Sequence, residues 1–318
     1  MAESVNVDQI RTGRMQGRLH RVLPWLGHVG RIVLGLVFLV AGLTKLVDPA
    51  EFGHQLAGYG IIGEQLATLA APLLIAFETT LGIALLVGYR LRVGVLTASI
   101  LLVLFIAVEA YGIAAGRTES CGCFGAYLQR TPGEVIVEDL LFLLLGVMAW
   151  FALPAWQPRR PRAAAGAVII AALASVALAA ASPHLPIDPY VTRLAVGRPI
   201  DTLQLPGDLP SLGEGRHLVA LFEVTSPDAI DLAARLSDIA TAPGAPGVLA
   251  LSPSSDEDRT AFFWSAAPEF DVYSVDRPVL KRLYRRLPLF FAVDSGRIVG
   301  IGDDAGRVVE DLLSSEGS

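Results

Sequence analysis

Five apolar segments dominate the first 182 positions of this 318-residue chain. They cover residues 29–47, 66–87, 93–113, 135–153 and 163–181. A helix needs about 20 residues to cross the hydrocarbon core of a bilayer, and each segment is close to that length. Hydrophobic residues make up 53% of the sequence, which is high for a soluble protein. The sequence therefore predicts a membrane all-α helical bundle of about five transmembrane helices.

The basic residues of the short loops predict how this bundle is oriented. Cytoplasmic loops carry more Lys and Arg than loops on the other side of the membrane. With the N-terminus in the cytoplasm, one side collects Arg11, Arg14, Arg18, Arg21, Arg31, Arg90, Arg92, Arg159, Arg160 and Arg162. The other side holds Lys45, Arg117 and Arg130. We therefore expect residues 1–28 to form a partly disordered cytoplasmic tail, and the chain beyond the fifth segment to be extracytoplasmic.

Residues 183–318 have a different character. They contain 12 basic and 20 acidic residues, a net charge of −8, which argues against a nucleic-acid partner. A proline-containing linker at 183–196 precedes runs that alternate between strand-like and helix-like patterns. Strands are predicted at 217–224, 247–251, 271–274, 289–293 and 298–301, and helices at 228–239, 256–263, 278–284 and 307–313. This alternation predicts a soluble α/β domain at 197–318.

Cys121 and Cys123 are the only cysteines of the chain, and they follow the third apolar segment. Two cysteines cannot build a disulfide framework. A disulfide that closes across the single residue Gly122 is strained, and strained disulfides are easily reduced. Thiol–disulfide exchange is therefore the leading interpretation, with both cysteines as candidate catalytic residues. A static disulfide that stiffens the loop is the alternative, and a metal site ranks below both because zinc needs about four ligands.

Three ionisable residues of the apolar segments form a second candidate site. Glu78 lies near the middle of the second segment, while Lys45 and Glu109 lie toward the outer ends of the first and third. A charge at this depth costs about 2.5–3.5 kcal/mol on insertion scales, so it needs a partner inside the bundle. The cluster is either a proton or quinone site coupled to the cysteines, or an ion pair that fixes helix packing. The sequence leaves open which carboxylate Lys45 meets.

The membrane part resembles a known family. The residues that carry the resemblance are Phe38, Ala41-Gly42-Leu43-Thr44-Lys45-Leu46, Asp48-Pro49, Phe52, Tyr59, Pro72, Glu78, Gly82 and Cys121-Gly122-Cys123-Phe124-Gly125. On these residues the chain from about 31 to 151 resembles MauE of methylamine utilisation, within the wider DoxX-like membrane families. The resemblance implies a four-helix membrane domain at 29–156 and a fifth transmembrane helix at 157–182, in the bacterial cytoplasmic membrane.

The C-terminal part resembles a thioredoxin-like domain of the TlpA or MauD type, over residues 197–313. Ser226-Pro227-Asp228-Ala229 stands where that family has its Cys-Pro-x-Cys, and Leu287-Pro288-Leu289 matches its cis-proline. Because Ser226 and Ala229 replace the two redox cysteines, the resemblance implies a degenerate domain that cannot run its own dithiol cycle.

These features predict a membrane protein of extracytoplasmic thiol–disulfide electron transfer, or of the maturation of a disulfide-containing periplasmic enzyme. The expected partners are the lipid bilayer and an extracytoplasmic client protein or partner reductase, and a membrane quinone is the candidate cofactor. The alternative is a non-catalytic assembly factor or scaffold, whose C-terminal domain binds a partner while the cysteines only brace a loop. Whether the chain is a thiol–disulfide oxidoreductase depends on which of these holds.

Overall fold

The computed structural model describes residues 7–116, 131–152, 158, 160–206 and 209–314. The chain divides into two compact units, Met1–Leu185 and Pro186–Ser318. In the described residues the first unit contains helices and no strand, whereas the second is built around a β-sheet.

The long helices of the first unit correspond to the apolar segments. The unit contains α1 (Val7–Leu46), α2 (Pro49–Gly58), α3 (Glu64–Val87), α4 (Leu91–Ala114), α5 (Pro132–Ala152) and α6 (Pro161–Ala181). Within the described residues, four helical stretches are long and apolar enough to cross a membrane: Trp25–Leu46 of α1, and the whole of α3, α4 and α6. The fourth segment forms α5, a helix of 21 residues that carries Glu134, Glu138 and Asp139. The chain is therefore a multi-pass membrane protein, and the remaining predicted span, at 135–153, stays a prediction.

Helices α1 and α3 run antiparallel and in close contact. Arg31 of α1 donates to the carbonyl oxygen of Leu85 at the end of α3, over 2.7 Å. Further along α1, a Cβ atom placed on Gly42 would lie 2.3 Å from Thr79 Oγ1, earlier in α3. Glycine at this position is what lets the two helices approach so closely.

Helices α4 and α5 form a second antiparallel pair. Gly146 of α5 lies against Ser99 of α4, and Asp139 of α5 lies within electrostatic range of Glu109 of α4. The C-terminal ends of α1 and α4 therefore meet the N-terminal ends of α3 and α5 at one end of the bundle. We name it the Lys45 end.

Helix α1 begins at Val7, inside the predicted N-terminal tail, and continues without interruption into the first apolar segment. The cytoplasmic, partly disordered tail at 1–28 stays a prediction. Extending an existing helix adds one hydrogen bond per residue fixed, and so avoids the cost of starting a new helix. This stretch has no clear apolar periodicity, so its pattern did not predict a helix.

The second unit contains a mixed five-stranded sheet. Its elements are α7 (Asp188–Val191), β1 (Arg216–Leu221), α8 (Ala229–Thr241), β2 (Gly247–Ser252), α9 (Asp256–Ala266), β3 (Asp271–Ser274), α10 (Arg277–Leu280), β4 (Leu289–Asp294), β5 (Arg297–Gly302) and α11 (Ala305–Ser314). The strand order is β3-β2-β1-β4-β5, with β1, β2 and β3 parallel and β4 antiparallel to both β1 and β5.

Alternation along β1 divides the core of this unit between the two faces of the sheet. Leu218 and Ala220 belong to a cluster that includes residues of α8 and α11, while Val219 and Leu221 belong to the cluster on the other face. A strand buried on both faces has an apolar run rather than an alternating pattern. This explains why the run around 217–224 predicted a strand correctly.

Two predicted boundaries in this unit are wrong. The strand expected at 217–224 ends at Leu221, and the helix expected at 278–284 ends at Leu280. Beyond Leu280 the chain turns, so that Leu283 and Tyr284 still reach the core although they are no longer helical. Apolar spacing reports burial, and here buried residues continue past the last helical turn.

Candidate functional site

The described part of the bundle contains a buried ion pair near the Lys45 end. Lys45 lies in the last turn of α1, and its Nζ donates to both carboxylate oxygens of Glu78 on α3, each over 2.7 Å. The side chains are 2% and 0% exposed. Glu78 is therefore the carboxylate that Lys45 meets, a question that the sequence had left open.

Two aromatic rings enclose the Lys45 ammonium on its other sides. Nζ lies 4.9 Å from the ring centroid of Phe52 and 5.5 Å from that of Phe105. The electron-rich face of an aromatic ring attracts a cation, more strongly when water is excluded. The ammonium is thus held by one carboxylate and two π faces. We conclude that the Lys45 side chain lies inside the bundle.

The short helix α2 brings further side chains to the cluster. Asp48 caps its N-terminus by accepting from the Glu51 backbone amide over 3.0 Å, and Pro49 fits the first helical position because it needs no amide donor. Phe52 then lies in the first turns of α2, and Tyr59 follows its end. The Asp48-Pro49 pair therefore fixes the start of the helix that presents both aromatic residues.

Glu109 on α4 has a partner of its own. The Tyr59 hydroxyl donates to Glu109 Oε1 over 3.0 Å, and both residues are buried. The three predicted polar residues therefore lie in one region of the bundle, where Lys45 pairs with Glu78 and Glu109 accepts from Tyr59.

Asp139 on α5 is a member of this cluster that the sequence analysis missed. It is 6% exposed, lies within electrostatic range of Glu109, Lys45 and Glu78, and lines a small cavity together with Lys45 and Glu78. A carboxylate within an apolar segment is the signal that identified Glu78, and the same signal exists at Asp139. Tyr59 is one of the residues that carry the family resemblance, and the sequence pattern assigns it no role at the site.

The candidate catalytic cysteines lie outside the described residues. The segment that contains Cys121 and Cys123 connects Ala114 at the end of α4 to Pro132 at the start of α5. Both of these helix ends belong to the Lys45 end of the bundle. Chain connectivity therefore attaches the cysteine segment to the same end as the polar cluster.

In the second unit, the residues matched to a degenerate redox motif lie at one end of the sheet. Leu221 at the end of β1 pairs with Leu289 at the start of β4. The turn with Ser226 and Pro227 follows β1 and leads into α8, which begins at Ala229, while Pro288 directly precedes β4 and follows a cis peptide bond. Neither Ser226 nor Ala229 carries a thiol, so this end of the sheet has no redox pair.

A groove of about 680 Å³ lies beside Pro288 in the second unit. One wall comes from the segment after α7, including Leu194 and Val196, and the other from Leu283 to Leu289. Arg285 lies at this groove with its side chain 2% exposed and its Nη1 3.5 Å from Asp188 Oδ1.

Comparison with known proteins identifies a family domain in the membrane part. Residues 23–153 match the family described as methylamine utilisation protein MauE. MauE of Paracoccus denitrificans is 28% identical over 130 residues, which cover 40% of this chain and 70% of that protein. Protein TlpB of Flavobacterium psychrophilum is 28% identical over 138 residues, covering 41% of this chain but only 37% of TlpB. This chain thus spans well under half of the length of TlpB. No solved structure matches it.

Proposed function

We propose that this chain carries out thiol–disulfide electron transfer on the extracytoplasmic side of the bacterial cytoplasmic membrane, or matures a disulfide-containing periplasmic enzyme there. The observation that carries the proposal is the position of the cysteines. Both Cys121 and Cys123 fall within the MauE domain at 23–153, and the other 316 residues contain no cysteine. A thiol pair in an oxidising compartment readily cycles with a disulfide partner.

In the proposed cycle, a disulfide of the client or a membrane quinone accepts the protons and electrons that the two thiols lose. When Cys121 and Cys123 form their disulfide, the two thiols lose two protons and two electrons. A client disulfide that accepts these becomes a dithiol, and a membrane quinone that accepts them becomes a quinol. In the opposite direction, a partner reductase restores the dithiol. The bond across one intervening residue favours easy reduction, as an exchanger requires.

We propose for the second unit a thioredoxin-like fold that has lost its redox chemistry. The support is the sheet order β3-β2-β1-β4-β5, with a parallel β1–β2–β3 part and a C-terminal β4–β5 hairpin followed by α11. Ser226 and Ala229 stand at the positions matched to the two cysteines. In this proposal the unit binds or orients a client, and the chemistry belongs to Cys121 and Cys123.

Trapping of mixed disulfides tests the proposed exchange. In cells, Cys121→Ser or Cys123→Ser leaves one thiol, which should hold the client in a covalent adduct. We expect an adduct that a reductant removes, seen on non-reducing gels with the full-length chain, and none in the double serine variant. Alkylation of wild-type cells should show the fraction of free thiols rising with added reductant and falling with oxidant. A single fixed redox state under both treatments, with no adduct in either single variant, contradicts the proposal.

A second candidate function is that of a non-catalytic assembly factor. The observation that favours it is the groove beside Pro288, on a unit that has no thiol. Val196 lines this groove and is 63% exposed, whereas Ile230 on α8 is 53% exposed and does not line it. If binding alone matters, Val196→Asp should abolish copurification of the client with the double serine variant, and Ile230→Asp should not. Loss of client binding on removal of the cysteines alone contradicts this candidate.

A further inference from the structure

Asp139 is a buried carboxylate inside a long helix of the bundle, and its hydrogen bonding is incomplete. Its residue is 6% exposed, and among the described residues its Oδ2 atom is buried with no hydrogen-bond partner. By contrast, Glu78 accepts from Lys45, and Glu109 accepts from Tyr59. Leaving a buried polar atom unsatisfied is costly, and the cost is larger still when the group is charged. Some group or proton must therefore complete the environment of Oδ2.

The small cavity beside Asp139 limits what that group can be. It has a volume of about 20 Å³, and its lining is polar at Lys45, Glu78 and Asp139 and otherwise apolar, with Phe105 and Phe142 among the lining residues. A water molecule needs roughly 10–15 Å³ of such volume and two to four polar partners. The cavity meets both conditions. Its volume is smaller than the ring of a quinone.

The charges around the cavity do not balance if every group is ionised. In the described part of the cluster, Lys45 on α1 pairs with Glu78 on α3, and Asp139 on α5 lies within electrostatic range of Lys45, of Glu78 and of Glu109 on α4. The next cation along α1, Arg31, lies 14 residues away, about 21 Å along the helix, and donates to backbone carbonyl oxygens of α3. Tyr59, following α2, supplies a hydroxyl and no charge. Among the described residues, Asp139 thus has two carboxylates and one ammonium within electrostatic range.

We propose that Asp139, the Lys45–Glu78 pair and the cavity between them form a proton-binding site, in which Asp139 Oδ2 carries an exchangeable proton and donates it to a water molecule in the cavity. The step is a proton transfer alone: the carboxylate takes the proton from water and returns it to water, and no electrons move. The proton removes one negative charge from the cluster and gives Oδ2 the hydrogen bond that it lacks. The site rests on helices α1, α3 and α5 and does not depend on Cys121 or Cys123.

Infrared spectroscopy of the full chain in lipid nanodiscs tests this site directly. A protonated carboxylic acid has a C=O stretching band, separate from that of a carboxylate, which shifts to lower frequency when the proton exchanges for deuterium. At neutral pH we expect this shift in the wild-type protein on transfer from H₂O to D₂O. The band should be lost in Asp139→Asn and retained in Glu138→Gln, which changes the neighbouring carboxylate of α5. A band that persists unchanged in folded Asp139→Asn overturns the proposal, as does the absence of any band in the wild type.

Isotope labelling keeps the test independent of how well Asp139→Asn folds. Wild-type protein labelled with ¹³C at the aspartate side-chain carboxyls should show the exchangeable band at lower frequency, because the heavier carbon slows the C=O stretch. Labelling at the glutamate side-chain carboxyls should leave the band in place. The reverse result assigns the proton to a glutamate and overturns the assignment to Asp139.

Discussion

Among single residues, Lys45 is the one whose replacement should weaken the bundle most. Lys45→Met leaves Glu78 as a charge that is 0% exposed and without its cation. Removing one partner of a buried pair costs on the order of 3–5 kcal/mol, because the remaining charge is neither solvated nor neutralised. We therefore expect Lys45→Met to lower the free energy of unfolding by about this amount, measured by SDS titration of the purified protein in mixed micelles.

A double variant separates the charge effect from a simple loss of packing. Lys45→Met combined with Glu78→Leu removes both charges, and apolar replacements of buried pairs are often close to neutral. The double variant should therefore be more stable than Lys45→Met alone. Glu64→Gln, at an exposed position in the first turn of α3, serves as the control and should cost less than about 1 kcal/mol. Strictly additive losses from the two single variants would show that the pair is not coupled.

The sequence predicts part of the polar cluster but not its pairing. A charge inside an apolar segment is visible in the sequence, and it identified Lys45, Glu78 and Glu109 as a group. The pairing was not visible, since it depends on how far each helix slides and rotates against its neighbours. Asp139 is harder to recognise, because one carboxylate hardly changes the length or the apolar content that predict its segment to be a span.

Between elements, the contact of α1 with α3 depends on glycines. A Cβ atom on Gly82 would lie 2.6 Å from the Leu39 backbone nitrogen and 2.8 Å from the Gly35 carbonyl oxygen. Both are backbone atoms, so no side-chain rotation relieves the clash and the helices must separate. We expect Gly82→Ala to cost about 1–3 kcal/mol, as overpacking typically does. The same SDS titration measures it.

Gly166→Ala in α6 is the matched control for this prediction. A Cβ atom there meets nothing within 4 Å, so the substitution introduces no clash. Alanine favours a helix over glycine by up to about 1 kcal/mol, so the control should be neutral or slightly stabilising. Equal losses for the two variants would mean that close approach of α1 and α3 does not contribute to stability.

The positions of the elements in the second unit could be predicted, because the apolar residues of each strand and helix are buried and recur at the spacing of that element. The apolar run at 217–224 and the helical spacing at 228–239 correspond to β1 and α8 within a few residues. Prediction failed where structure and burial separate, as in the turn after α10, and where a helix runs through a stretch without apolar periodicity, as at the start of α1. The pairing of β1 with both β2 and β4 joins segments far apart in sequence, and no local pattern reports it.

At the scale of the whole molecule, α5 decides on which side of the membrane the C-terminal unit lies. With four spans the two ends of the chain are on the same side, and with five they are on opposite sides. Helix α5 has 21 residues, as α6 does, and the carboxylate of Asp139 is buried inside the bundle. A buried, compensated carboxylate does not prevent a helix from spanning, because the charge does not face lipid.

We therefore predict that α5 crosses the bilayer, and reporter fusions on its two sides test this without reference to the rest of the chain. An alkaline phosphatase fused after Gly116 should be active, since that reporter works only outside the cytoplasm, and one fused after Arg160 should be inactive. A fluorescent protein that matures only in the cytoplasm should give the opposite pattern at the same two positions. Fusion after Gly88, in the loop with Arg90 and Arg92, is the cytoplasmic control. If the reporters after Gly116 and Arg160 agree with each other, α5 does not span, and the C-terminal unit shares the compartment of the N-terminus.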